Sequence, residues 1–313
     1  MDLPLLIAIG GNSLIRAGQR GTIAEQRENA ATTCRFIADL IARGHRIILT
    51  HGNGPQVGAQ LIRSEAGSAQ VYTMPLDSCD ASTQGEMGYL LQNALRSALQ
   101  MKGLSIPVVT LLTQVVVGKD DPSFDKPSKP VGPFYTKEIA EQRRRDLGWQ
   151  IVDDAARGFR RVVPSPWPLD IVELDAIERC MKDGMIVIAG GGGGIPVIHE
   201  DSHYIGVEAV IDKDRASALL ANRLKLKTFV ISTDTDRVYL NYKKPDERAV
   251  SRMTVTQAVQ WMEEGQFPAG SMGPKIEAAV NFLTGGGKEV IITRPELLVE
   301  AVDGDAGTHI LPD

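Results

Sequence analysis

Cysteine is scarce in this 313-residue chain: Cys34, Cys79 and Cys180 are widely spaced, odd in number and free of CxxC or His/Cys clustering. That excludes a disulfide scaffold and a thiolate metal site, and it points to a reducing cytoplasm. No apolar run approaches the ~20 residues that a membrane-spanning helix needs. The apolar start, Leu3–Ile9, is short, lacks a basic flank and runs into Gly10-Gly11-Asn12, so it reads as a first strand and not as a secretion signal. Basic charge is also in deficit, with 34 Lys and Arg against 39 Asp and Glu and a net charge of −5. A nucleic-acid binder needs a broad basic face, so any positive charge that matters here must be local. Two nucleotide signatures are missing as well: there is no GxxxxGK[ST] loop and no GxGxxG opening a helix after the first strand. A dehydrogenase would also need an acidic residue to hold a ribose, where this chain continues as the strand-like Pro196–His199.

What is present is an ordinary globular composition, 43% hydrophobic and 23% charged, long enough to bury a large core. The first third alternates strand and helix patterns: strand Leu3–Ile9, helix Thr22–Ala42, strand His45–Leu49, a helix from Pro55, helix Asp80–Leu104 and strand Ile106–Leu112. From Ile171 the alternation resumes, with helix Asp214–Leu224, strand Thr228–Ser232, strand Val238–Asn241, helices Val255–Glu264 and Pro274–Leu283, strand Glu289–Thr293 and a last strand His309–Leu311. This predicts an α/β fold with a mainly parallel sheet covered by helices on both faces. Residues 117–168 break the pattern with clustered prolines, a polar helix Lys137–Leu147 and short strand-like pieces, which predicts an inserted subdomain or lid.

Three glycine segments each follow a predicted strand: Gly10-Gly11-Asn12, Gly52-Asn53-Gly54, and the run Gly190–Gly194 after Met185–Ala189. Glycine permits positive φ and close approach of backbone N–H groups to a ligand, so strand-end glycines suit a phosphate. Linkers interleave glycine with serine between polar flanks, whereas the flanks of 190–194 are β-branched. For any single segment, a tight turn that needs glycine for geometry alone stays open. Three lysines sit in stiffened surroundings: Lys129 in Lys-Pro-Val-Gly-Pro, Lys213 in Asp212-Lys213-Asp214, and Lys275 after Met272-Gly273-Pro274. A solvated surface role remains the alternative for each taken alone.

Taken in series, THGNGPQVG (50–58), KPSKPVGPFY (126–135), GFRRVVPSPWP (158–168), IAGGGGGIPV (188–197), GVEAVIDKDRASALLA (206–221), TDTDRVY (233–239) and GQFPAGSMGPKIEAA (265–279) resemble the carbamate kinase family within the amino-acid-kinase fold. The resemblance implies a single three-layer αβα sandwich with 117–168 as a protruding subdomain, a homodimer, and reversible phosphoryl transfer between MgATP and carbamate to give carbamoyl phosphate, run toward ATP in catabolism. It carries catalytic roles onto Lys129, Lys213, Asp214 and Lys275, and substrate or phosphate contacts onto Gly10, Gly11, Asn12, Gly52, Asn53, Gly54, Gly191 and Gly192. The nucleotide pocket falls on Asp234, Asp236, Val238, Tyr239, Met272 and Gly273, with an ordinary two-aspartate turn as the alternative for 234–236. Mg2+ is expected on the nucleotide phosphates and not in a protein metal site.

The chemistry agrees with that implication. A transferring phosphoryl group spreads negative charge over three equatorial oxygens, so it needs cations from several directions. A carbamate oxygen is already anionic, so the lack of a His/carboxylate dyad creates no difficulty. The first strand, Leu6-Ile7-Ala8-Ile9, lacks the lysine that relatives in the wider fold carry, and Lys213 resembles its replacement. Among the departures from the family pattern, Glu86 adds a charge where an apolar residue is common, and acceptor choice or assembly is where it would act. Two rivals remain: a kinase of the same fold with another small carboxylate or amino-acid acceptor, and a non-catalytic sensor of carbamoyl phosphate or ATP.

Overall fold

The first strand, β1 (Leu5–Ile9), shows how one sheet builds two cores. Its side chains alternate between faces, with Leu6 and Ala8 in one buried cluster and Ile7 and Ile9 in another. All four are fully buried, which is why the strand is apolar throughout and does not alternate with polar residues. The computed structural model describes residues 4–11, 14–16, 18–154, 158–268 and 270–313.

β1 belongs to an eight-stranded sheet with β2 (Ile47–His51), β3 (Val108–Thr110), β9 (Ile186–Ile188), β12 (Thr228–Ser232), β15 (Arg252–Thr254), β16 (Glu289–Thr293) and β17 (Thr308–Leu311). The order is β15-β17-β16-β12-β1-β2-β9-β3, and only β16 and β17 pair antiparallel. Helices α1 (Ile23–Ala42), α3 (Leu76–Met101) and α10 (Leu298–Val302) pack on one face through Ile37, Leu91 and Leu298. On the other face α6 (Leu174–Lys182), α7 (Lys213–Arg223), α8 (Val255–Glu263) and α9 (Met272–Thr284) pack through Ile177, Leu220, Ala258 and Phe282. The result is the three-layer αβα sandwich around a mainly parallel sheet.

Local rules account for several boundaries. Thr22 and Glu25 form a reciprocal capping box that starts α1. The third helix begins at Leu76, four residues before the expected Asp80, because Glu208 Oε1 accepts from the Leu76 N–H at 2.7 Å across 132 residues of sequence. The second strand runs 47–51 and not 45–49, with Leu5 opposite Ile47 and Ile9 opposite His51. The strand expected over 106–112 shrinks to three residues, since β3 is the sheet edge and pairs only with β9.

A second sheet, in the order β11-β10-β4-β8, contains β4 (Gln114–Val117), β8 (Pro168–Ile171), β10 (Ile195–Glu200) and β11 (His203–Gly206). The glycine run therefore joins two sheets, with β9 in the large one and β10 in the second. β4 and β8 are antiparallel neighbours with Val117 opposite Pro168, so the chain leaves and re-enters the body at one place. Between them lie α4 (Pro122–Asp125), β5 (Lys129–Tyr135), α5 (Lys137–Leu147), β6 (Ile151–Asp154) and β7 (Gly158–Val163), with a separate antiparallel sheet β5-β7-β6. Val131 and Val163 of this insertion pack on Val57 and Leu61 of α2 (Gly54–Gly67). The expected strand at 238–241 becomes β13 (Val238–Leu240), in a hairpin with β14 (Arg248–Val250).

Candidate active site

β1, β2 and β9 are adjacent and parallel, so the three glycine segments that follow them emerge side by side at one carboxyl edge of the sheet. In open α/β sheets this edge is where ligands bind. Gly52 N–H donates to Ile9 O at 2.9 Å, which ties the first two segments together, and Gly10 N–H donates to Ser232 O at 3.1 Å, which ties the first to the end of β12. A Cβ at Gly52 would stand 3.1 Å from Gly11 N and 3.2 Å from Lys213 Cδ, so only glycine lets the loops and that lysine meet. Asn12 lies outside the described residues.

The five-glycine run answers to packing as well as to any ligand. Gly190 to Gly194 are all buried, and Gly190, Gly192, Gly193 and Gly194 have positive φ. A Cβ at Gly191 would overlap His51, one at Gly192 would overlap the Asn53 amide, and one at Gly193 would overlap Ile211 O. Gln84 Nε2 donates to Gly191 O at 2.9 Å, and Gly190 N–H donates to Thr113 Oγ1 at 2.9 Å. The sequence pattern points to ligand approach, with a turn that needs glycine for geometry as the alternative; the structure adds a demand from the protein's own neighbours.

The cations gather beside these loops. Lys213 opens α7 and Lys275 lies in the first turn of α9, and both reach Asp214: Lys213 Nζ binds Oδ1, and Lys275 Nζ binds Oδ2 at 3.0 Å. The helices are pinned to one another by Arg215, whose Nε and Nη2 reach Glu277 Oε2 at 2.9 and 2.7 Å. Arg215 also lies over the Trp167 ring, 4.1 Å from its centre. Burial would raise the Asp214 pKa, but Lys213 and Lys275 outweigh it and hold the carboxylate below its ordinary range. Burial lowers Lys213, with Lys275 adding to the drop and Asp214 opposing it. Lys275 is raised, because Asp214 outweighs its burial.

Lys129 arrives from the insertion and binds Asp212 Oδ2 at 2.8 Å. Asp212 is at the same time the N-cap of α7, accepting from the Asp214 and Arg215 N–H groups through Oδ1. Burial opposes its ionisation, but Lys129 and then Lys213 hold its pKa well down. Three lysines thus gather on Asp212 and Asp214 where the glycine loops converge, with Asp234 acting on Lys275 as a weaker influence. Lysines so gathered in a shielded place can attract an anion.

The nucleotide candidates are brought only partly together. Asp234 acts electrostatically on Lys275, which puts the 234–236 turn near the cations. Tyr239 Oη donates to Asp236 Oδ1 at 2.9 Å. Val238 is fully buried, with its N–H on Thr308 Oγ1 at 2.8 Å, so it backs this region without lining it. Met272 and Gly273 form the start of α9, where Gly273 N–H donates to Pro268 O at 2.9 Å.

The sequence assigned no role to Asp212 or His51, although both stand in the quoted segments, and gave no sign of Asp80 and Thr83. Asp212 was signalled by its N-cap position before an apolar helix. His51 is buried between Gly191 and Lys213, and burial pushes its pKa down to about 4. Asp80 and Thr83 accept from Asn53 Nδ2 at 2.8 and 2.9 Å, across 27 and 30 residues, and no sequence pattern marks them. Glu86, the departure noted above, accepts from Gln60 Nε2 of α2 at 3.3 Å. Among the described residues no group of three His, Cys, Asp or Glu side chains could hold a metal ion, and no helix is long and apolar enough to cross a membrane.

Comparison with known proteins places the whole chain in a family. A profile of the amino acid kinase family matches residues 4–294. Carbamate kinase of Thermococcus kodakarensis is 46% identical over 98% of each chain. The carbamate kinase-like protein YahI of Escherichia coli is 44% identical over 98% of each. The structure of carbamate kinase from Giardia lamblia bound to AMP-PNP superposes with a TM-score of 0.94 and 39% identity, covering 100% of this chain and 99% of that one. An N-acetylglutamate synthase from Neisseria gonorrhoeae, 18% identical with a TM-score of 0.57 over 99% of this chain and 59% of its own, shares the fold alone. With its whole length aligned to such relatives, the chain belongs to the carbamate kinases of the amino acid kinase family.

Proposed function

We infer that this protein is a carbamate kinase, moving a phosphoryl group reversibly between ATP and carbamate and giving carbamoyl phosphate and ADP. The observation that carries the inference is the convergence of Lys213 and Lys275 on Asp214 beside Gly52. In this reading the two lysines bear on the equatorial oxygens of the migrating group, Asp214 keeps them together, and Lys129 adds a third charge from the insertion. Carbamoyl phosphate meets the segments at Gly10, Gly11, Gly52 and Gly54, with Gly191 and Gly192 behind them. The nucleotide occupies the side of Asp234, Asp236, Tyr239, Met272 and Gly273 in this reading; that a nucleotide is a substrate at all is supported by the AMP-PNP complex of the Giardia lamblia relative. Mg2+ enters as part of the MgATP or MgADP substrate, held mainly by phosphate oxygens. The carbamate oxygen attacks phosphorus without a general base, since it carries its own charge.

The physiological direction in this reading is toward ATP, in the cytoplasm, where the three unpaired cysteines are at home. A homodimer is part of the same reading. It is supported by exposed Leu112, just past the sheet-edge strand β3, and by exposed Tyr89 on α3, next to the Gly88 that packs on Thr110 of that strand. The test is direct: carbamoyl phosphate and MgADP should yield ATP. No ATP alongside a working control kinase, or turnover with an amino-acid acceptor and none with carbamate, would overturn the inference.

A further inference from the structure

Asn53 stands at the N-cap of the 14-residue helix α2, where its backbone carbonyl accepts from Val57 N–H at 2.9 Å. Asparagine in that place ordinarily turns its side chain back onto the first-turn N–H groups. Here it makes no such bond. Its amide nitrogen instead donates to Asp80 Oδ1 at 2.8 Å and to Thr83 Oγ1 at 2.9 Å, both on α3. An amide NH2 has two protons, so both are committed. On the opposite side Gly192 leaves just enough room, because a Cβ there would overlap the Asn53 amide.

We propose that Asp80 and Thr83 are positioning residues for the anion-binding start of α2: they draw the Asn53 side chain off the helix terminus and leave its N–H groups to the phosphoryl oxygens of the substrate. The proposal rests on the site assignment above. An uncapped helix N-terminus presents N–H donors and the positive end of the helix dipole, and Pro55 in this first turn has no N–H to satisfy. A self-capped terminus would offer the substrate one donor fewer. Asp80 is 1% exposed, and among the described residues its Oδ2 has no hydrogen-bond partner. Burial raises its pKa well above the carboxylate range, Asp77 and Glu208 push it further, and the Asn53 bond opposes them. Its bond to Asn53 is made through the acceptor Oδ1, a role an asparagine oxygen can fill.

The experiment uses the full-length enzyme with D80A, D80N and T83V, measuring KM and kcat for carbamoyl phosphate and for MgADP separately. D80A is expected to raise KM for carbamoyl phosphate on the order of tenfold, the size of one lost hydrogen bond to a charged ligand, with less than twofold change for MgADP. D80N should recover most of that loss, and T83V should fall between. The crystal structure of D80A should show the Asn53 amide turned back onto the first turn of α2. Unchanged KM for carbamoyl phosphate in D80A, a parallel rise in both KM values, or D80N as impaired as D80A would overturn the proposal. If D80A does not fold, T83V decides: an unchanged KM for carbamoyl phosphate overturns it. A wild-type enzyme without turnover would defeat the activity assignment instead, and the Asn53 orientation in the T83V crystal structure would then decide the positioning role.

Discussion

The body and the insertion each contribute lysine to this site, and they hold it differently. Lys213 and Lys275 rise from helix starts that are locked by Arg215 and Glu277, and their side chains are 11% and 15% exposed. Lys129 sits on a strand of the small three-stranded sheet, 34% exposed, with its own carboxylate partner in Asp212. The insertion docks through a small apolar cluster on α2, through the Arg143–Glu65 and Arg161–Glu208 ion pairs at 3.0 and 3.2 Å, and through the close approach of Gly58 to Gly132. Partly exposed ion pairs contribute little, and a small docking face can open. The body charges thus stand on helices packed into the main core, while the insertion's charge stands on a separately docked sheet.

Replacing the two kinds of lysine tests that contrast most sharply. Lys213→Ala should lower turnover by about 10³-fold or more, as expected for a preorganised cation facing the transition state. Lys129→Ala should cost about 10-fold to 10²-fold, since its charge is more solvated. Equal losses in steady-state assays would erase the distinction between the buried body lysine and the more exposed lysine of the insertion.

A gentler perturbation touches docking alone. A Cβ at Gly58 would lie 3.1 Å from Gly132 Cα, where both sides are backbone and cannot rotate away. Gly58→Ala should therefore push the insertion outward and raise KM for carbamoyl phosphate about tenfold, the kinetic equivalent of mild overpacking. Kinetics like wild type would show that the insertion does not close on α2 at this point.

The smallest effect belongs to the body. His51 has its folded-state pKa pushed down by burial from 6.5 to about 4. The unfolded chain then takes up a proton first as pH falls, so this contribution to stability is whole above pH 6.5 and is lost progressively toward pH 4. The loss should be about 1 kcal/mol at pH 5.5. Urea unfolding at pH 7.5 and 5.5 measures it, and His51→Gln should flatten the slope; an unchanged slope would assign it to other groups.

Strong local signals carried far. Thr228–Ser232 and Glu289–Thr293 were legible residue for residue as strands because both are apolar and buried on two faces. Lys137–Leu147 was legible as a helix from its helix-forming residues and the glycine that stops it at Gly148 in a left-handed turn. The early start of α3 was not legible, because its first N–H is satisfied by Glu208 far along the chain. The five glycines announced a site, but their partners His51, Asn53 and Ile211 come from other elements.

The amino-acid order alone determined the alternation of strands and helices, the insertion's break in that alternation, and the lysine and glycine segments proposed to carry the chemistry. These follow from the local periodicity of side chains and from turn-forming residues. Only the tertiary structure decided that β1, β2 and β9 lie side by side, that one carboxylate serves two lysines, and that Asp80 holds Asn53. Those choices depend on which surfaces bury together, and burial joins residues without regard to their distance along the chain.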